Sequence, residues 1–194
     1  MCIRDSGGFI MAGSPPGPTP NGPTQTGRPK RADASAEPLA MTQKPLAILQ
    51  MGRPPEDLRA SHGEQGDWVT AALTGLDVPL TIEYPADGHA LPDPARLRGA
   101  VLTGSWSMVT DREPWSERTE QWLREALDAQ LPLLGICYGH QLMAHAFGGV
   151  VDYHPRGREI GLHTVRRLPA SHDDPLLAGL PDHFAAHLTH EQSV

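Results

Sequence analysis

From Pro45 onward the chain alternates short apolar runs with longer stretches whose apolar residues recur every three or four positions. Leu46-Ala47-Ile48-Leu49-Gln50-Met51 has the length and character of a buried parallel strand. A polar loop follows, then a helical pattern from Asp67 to Leu76 with Trp68, Val69, Ala72 and Leu73 on one face. Leu80-Thr81-Ile82-Glu83-Tyr84 and Gly99-Ala100-Val101-Leu102-Thr103-Gly104 read as further strands. Pro114 to Ala129 reads as a helix, with Trp115, Trp122, Leu123 and Leu127 spaced for packing. Pro132-Leu133-Leu134-Gly135-Ile136 is a fourth strand, and a helix from about Tyr138 to Phe147 follows at once. Gly148-Gly149 stops that helix, as a left-handed C-terminal cap does.

Strands alternating with helices across short loops predict an α/β fold, a mostly parallel sheet with helices on both faces. Beyond Val150 the pattern shortens and becomes polar-alternating. Gly149 to Tyr153, Ile160 to Val165 and Ala185 to Thr189 read as strands of an antiparallel extension. Residues 1–44 differ from all of this. Gly13-Ser14-Pro15-Pro16-Gly17-Pro18 and its continuation can form neither helix nor ladder and bury little, so the tail is expected to be disordered. Met1 to Ser6 reads like a translated sequencing adapter, which makes the tail partly artefactual and Met41 or Met11 the expected start. The ordered domain is 45–194.

Composition narrows the function. Of 194 residues, 39% are hydrophobic, enough for one buried core. A net charge of -7 and the lack of a basic stripe argue against a nucleic-acid partner. No apolar run approaches the ~20 residues a bilayer requires, and no secretory leader is visible. Two cysteines, Cys2 and Cys137, make no disulfide framework, which places the chain in a reducing cytoplasm where Cys137 is free as a thiolate.

The chemistry concentrates at Leu134-Gly135-Ile136-Cys137-Tyr138-Gly139-His140-Gln141. A strand that turns sharply into a helix puts its apex residue in a strained conformation with its side chain clear of the sheet. Flanking glycines, here Gly135 and Gly139, let neighbouring chains approach, as in a nucleophile elbow. The helix N-terminus favours a thiolate, and first-turn amides, Tyr138's above all, can receive the charge of a tetrahedral oxyanion. An inert core cysteine would have no need of those glycines.

This run resembles the nucleophile motif of the class I (triad-type) glutamine amidotransferases, and Leu102-Thr103-Gly104-Ser105 resembles that family's oxyanion strand. The resemblance is to stand-alone proteins similar to the glutaminase domain of GMP synthase, spans Pro45 to Val194, and implies a flavodoxin-like α/β fold. It implies that Cys137 attacks the side-chain carbonyl of glutamine, forms a γ-glutamyl thioester and releases ammonia. The main-chain N–H groups of Gly104 and Tyr138 would hold the oxyanion, while Ser105, Gln141, Gln192 and Ser193 would help seat the substrate. Glycine at 104 also lets the main chain come close to a tetrahedral intermediate. Neither cofactor nor metal is implied; Asp173-Asp174 and the histidines lack ligand spacing. Two destinations stay open: a synthetase partner chain receives the ammonia, or the protein simply hydrolyses a small metabolite.

The sequence departs from the family at the base. The family's His, oriented by a Glu two residues on, is expected beyond Val194, so the chain reads as C-terminally truncated and the fragment as inactive. His154-Pro155 lacks a nearby acid until Glu159, His190-Glu191 has the wrong spacing, and His140, His145, His163, His172, His183 and His187 show no orienting carboxylate. Pro155 to Gly161, with Arg156 and Arg158, reads as an anion-binding or docking loop, or a solvated hairpin. Trp106, Trp115 and Trp122 read as packing residues, with Trp106 able to wall the pocket. Two other functions stay open: hydrolysis of γ-glutamyl peptides or metabolites on the same fold, and a non-catalytic binding module.

Overall fold

The computed structural model describes residues 43–194 except Asp173, Pro175, Leu176 and Ala178. All but the last two residues of the tail expected to be disordered, Cys2 among them, and half of the Asp173-Asp174 pair therefore lie outside the described residues.

Four parallel strands form the central sheet in the order β2-β1-β3-β4: β1 is Leu46–Leu49, β2 Leu80–Glu83, β3 Gly99–Leu102 and β4 Leu133–Gly135. Ala47, Leu49, Ala100 and Leu102 alternate onto one face, where they join a core with Trp115, Trp122, Leu123, Tyr138 and Leu142. Those partners come from α3 (Pro114–Asp128) and α4 (Tyr138–Ala146). Ile48 and Val101, of opposite pleat, are also buried, which is why both central strands are apolar throughout. On that second face α2 (Gln65–Ala72) packs so closely that a Cβ at Gly66 would sit 3.0 Å from Ile82 Cγ2.

Two helical readings change. A short helix, α1 (Glu56–His62), occupies the expected polar loop; it buries no residue and so carries no apolar stripe. The next helix starts and ends earlier than its apolar pattern suggested. Trp68 is 45% exposed, and its indole N–H donates to the His62 carbonyl across the α1–α2 turn. Beyond α4, Gly148 adopts φ 90° and Gly149 donates to Ala144 O at 2.8 Å, the expected cap.

The antiparallel extension takes the form of two separate pairs: β5 (Asp152–Tyr153) with β8 (Gln192–Ser193), and β6 (Glu159–Arg166) with β7 (His183–His190). Among the described residues no helix is long and apolar enough to cross a membrane.

Candidate active site

The strand order changes direction between β1 and β3, and in open parallel sheets the crevice beyond the carboxyl ends at such a point is where ligands bind. Gly52, Gly104 and Cys137 follow the carboxyl ends of β1, β3 and β4 respectively.

Cys137 is the link between β4 and α4. Its backbone stands at φ 52° and ψ -108°, a region that costs a non-glycine residue of order 1–3 kcal/mol. The surroundings enforce it. A Cβ at Gly135 would lie 2.5 Å from the His140 nitrogen, and one at Gly139 would lie 2.5 Å from the Leu102 carbonyl oxygen. The Gly139 N–H donates to Thr103 O at 3.1 Å and Ile136 O at 3.0 Å, tying the start of α4 to the end of β3. Cys137 is half-buried, and its sulfur stands 3.9 Å from the Thr189 carbonyl oxygen.

Gly104 lies against this turn. The point where its Cβ would be is 3.7 Å from Cys137 Cβ and 3.8 Å from Gln65 Oε1. Those are ordinary contact distances, so the resting chain has room there that glycine leaves unfilled. Thr103 fixes the approach: its hydroxyl accepts from Met51 N–H and donates to Gly104 O, each at 3.0 Å. Ser105 turns the chain, its Oγ accepting from Ser107 N–H at 3.1 Å and sitting 2.6 Å from where a Gly52 Cβ would be.

Two of the residues expected to seat a substrate, Gln141 and Gln192, bind each other. Gln141 Nε2 donates to the Gln192 main-chain carbonyl at 2.7 Å. Gln192 spends its own amide on the turn before α3, accepting from Val109 N–H at 3.0 Å and donating to Thr110 Oγ1 at 2.7 Å. Both side chains are buried, so in the resting chain they clasp β8 to α4, while Ser193 pairs with Asp152 of β5. The phenol of Tyr138 points away from the crevice to Ser116 Oγ at 2.8 Å. Burial pushes its pKa up to about 12.

Sequence reasoning missed several carboxylate–imidazole pairs, among them His172 Nε2 with Asp182 Oδ1 at 3.5 Å and His89 Nδ1 with Glu83 Oε2 at 3.3 Å. His145 Nδ1 lies 2.7 Å from Oε1 of the buried Glu120, and His190 Nε2 lies 2.9 Å from Glu159 Oε2. The reading of His145 and His172 as lacking a carboxylate partner is thereby corrected; the acid of His145 lies 25 residues away, beyond any local motif. His190 pairs with Glu159 rather than with its neighbour Glu191. Among the described residues no imidazole is hydrogen-bonded to the Cys137 sulfur, and no three His, Cys, Asp or Glu side chains converge as metal ligands. Burial lowers the pKa of His140, whose Nδ1 is buried without a partner. Trp115 and Trp122 are core residues as expected, whereas Trp106 is 51% exposed.

The loop with Arg156 and Arg158 borders an open cavity of about 420 Å³, lined also by His154, Glu159 and His163. Arg158 Nη2 is 3.4 Å from Oγ1 of Thr189, the residue whose carbonyl faces the Cys137 sulfur.

Comparison with known proteins fits this architecture. The family described as glutamine amidotransferase class-I matches residues 80–194, more than half of the chain. The chain is 37% identical over 113 residues to a glutamine-hydrolyzing GMP synthase of Thermomicrobium roseum, covering 58% of this chain and 19% of that protein. It is 37% identical over 134 residues to one of the subunits of the Methanopyrus kandleri glutamine-hydrolyzing GMP synthase, covering 69% and 66% respectively. The same fold occurs in a glutamine amidotransferase from Thermotoga maritima, with a TM-score of 0.62 at 22% identity over 76% of this chain and 61% of that one. One from Methylobacillus flagellatus gives 0.60 at 24% identity, covering 78% and 57%. The chain thus spans only part of the length of these relatives.

Proposed function

The chain belongs to the class I glutamine amidotransferase family, and from that premise we propose that it is a cysteine hydrolase releasing ammonia from the side-chain amide of glutamine. The observation that carries the reading is the strained Cys137 backbone, φ 52° at the first turn of α4, with unfilled space beside Gly104 facing its Cβ. That is the geometry of a nucleophile elbow.

In this reading the Cys137 thiolate adds to the γ-carbonyl carbon. The oxygen takes up negative charge and is held by the main-chain N–H groups of Gly104 and Tyr138. The C–N bond breaks as the nitrogen takes a proton from water, ammonia leaves, and a γ-glutamyl thioester remains on Cys137 beside the hydroxide so formed. That hydroxide adds to the thioester carbonyl, the C–S bond breaks, and glutamate leaves with the thiolate restored, its carboxyl proton passing to the ammonia. Ser105, Gln141, Gln192 and Ser193 shape the substrate rim, the two glutamines by holding β8 against α4. Since one matched relative is a single component of a multi-chain GMP synthase, a separate synthetase chain is the proposed acceptor of the ammonia.

A glutamine-shaped chloroketone tests this directly, because alkylation of Cys137 needs the nucleophile and the substrate pocket but no turnover. Mass spectrometry should find the adduct on Cys137, with saturating kinetics and with protection by L-glutamine. Labelling that does not saturate, or that glutamine leaves unchanged, overturns the reading. Where ammonia release is measured, Cys137→Ala abolishes it.

The cavity bordered by Arg158, which reaches Thr189, favours one second reading, hydrolysis of larger γ-glutamyl compounds, whose remainder would extend past Arg158. Stronger protection of Cys137 by a γ-glutamyl peptide than by glutamine would select it.

A further inference from the structure

Gln65, the first residue of α2, is absorbed by neither the fold nor the reaction described above. The residue is half-buried, yet its Oε1 is sealed from solvent and has no hydrogen-bond partner. An unpaired buried carbonyl costs of order 1–3 kcal/mol. The backbone below it is firmly placed: Gly66 N–H donates to Gln50 Oε1 at 2.8 Å, and Gln50 in turn donates to Glu64 Oε2 at 2.7 Å.

The orphaned oxygen faces the reacting centre. The unfilled space at Gly104 has two side-chain neighbours within 4 Å, the Cys137 Cβ and Gln65 Oε1. The orphaned acceptor and the residue that carries the nucleophile therefore flank the same glycine. An acceptor has no use for the oxyanion, which needs donors, but it suits an N–H group. Glutamine carries two: its α-ammonium and its γ-carboxamide.

We propose that Gln65 is a substrate-contacting residue whose side-chain carbonyl accepts a hydrogen bond from an N–H group of the substrate when the site is loaded. The inference rests on the glutamine-hydrolase reading and adds a recognition contact to it. The contact discriminates against ligands that present only acceptors at this point, because they leave the buried carbonyl unpaired.

The test measures binding through protection of Cys137 against iodoacetamide in the full chain. Three ligands are compared: glutamine, glutaramate, which lacks the α-amino group, and the γ-methyl ester of glutamate, which lacks the γ N–H. Wild type is compared with Gln65→Leu and Gln65→Met, so that a folding failure in one leaves the other; each is checked by thermal melting. The variants should need about tenfold more glutamine for half-protection. That loss should vanish with glutaramate if the donor is the α-ammonium, or with the ester if it is the γ-carboxamide. Equal losses with all three ligands, or no loss with any, overturn the proposal. Failure of glutamine to protect wild type would instead remove the functional reading itself, and the inference with it.

Discussion

The glycines at the site make opposite predictions, and the difference can be measured. Gly139 lies in the first turn of α4, where exchange of glycine for alanine ordinarily stabilises by up to about 1 kcal/mol. Here the added methyl would lie 2.5 Å from Leu102 O and 2.6 Å from Leu102 Cβ. Leu102 is fully buried in β3 between β1 and β4 and cannot give way. Relief to ordinary contact requires a shift of roughly 0.9 Å, enough to lose the bonds that hold α4 to β3. Overpacking of this kind reaches about 3 kcal/mol, a fall of roughly 6–12 °C in melting temperature for a domain of this size. Gly104→Ala differs, because its nearest neighbour would be 3.7 Å away. The melting temperature should hold or rise by up to about 4 °C, as glycine replacement restricts the unfolded chain. The methyl nevertheless occupies the space between Cys137 and Gln65, so glutamine protection of Cys137 should weaken by at least about tenfold. Thermal melts and alkylation assays on both variants suffice. A Gly139→Ala chain that melts at or above wild type, or a Gly104→Ala chain as destabilised as Gly139→Ala, refutes the reasoning.

Removing the Gln141 amide by Gln141→Leu strands the buried Gln192 carbonyl and should cost about 1–3 kcal/mol in urea unfolding; an unchanged midpoint would show that the clasp contributes nothing. Thr103→Val breaks the bridge from Met51 to Gly104, and about 1–2 kcal/mol of stability should go with it, read from the same melts. Tyr138 has a folded pKa of about 12, above its unfolded value, so its contribution is complete below about pH 10 and is lost as pH rises towards 12. Stability measured against Tyr138→Phe should therefore converge across that window; parallel curves count against it. His140 has the opposite sign: burial lowers its folded pKa, so its contribution is present above about pH 6.5 and lost as pH falls through the folded value. His140→Gln should flatten the acid limb of the stability curve, and an identical limb would contradict the assignment.

Much of the architecture was legible because it rests on local signals. The central strands are buried on both faces and so are apolar without interruption, and α3 announces itself through Pro114 and a wide apolar stripe. The turn at Cys137 was readable because two glycines bracket it, and each proves to be excluded from bearing a side chain by backbone atoms. What failed lacked such a signal. Helix α1 buries nothing, so no periodicity marks it. The pairing of His145 with Glu120 and of His190 with Glu159 joins residues 25 and 31 apart, through packing that no spacing rule encodes. Gln65 is a single amide in a polar stretch, distinguished only by the partner it lacks.

The clasp made by Gln192 also bears on the order in which this chain assembles. Its bond to Val109 spans 83 residues, and its carbonyl receives Gln141 from 51 residues away. The parallel sheet with α3 and α4 is encoded entirely before residue 147. During synthesis at roughly 5–20 residues per second, that half therefore exists for some seconds before its fastener emerges. Through that interval Cys137 has its helix but neither the Thr189 carbonyl beside it nor the β8 rim. The nucleophile is thus among the last parts of the molecule to acquire its surroundings. Chains stalled before Thr189 should accordingly show Cys137 alkylation that glutamine cannot slow, and protection in such chains would refute this order.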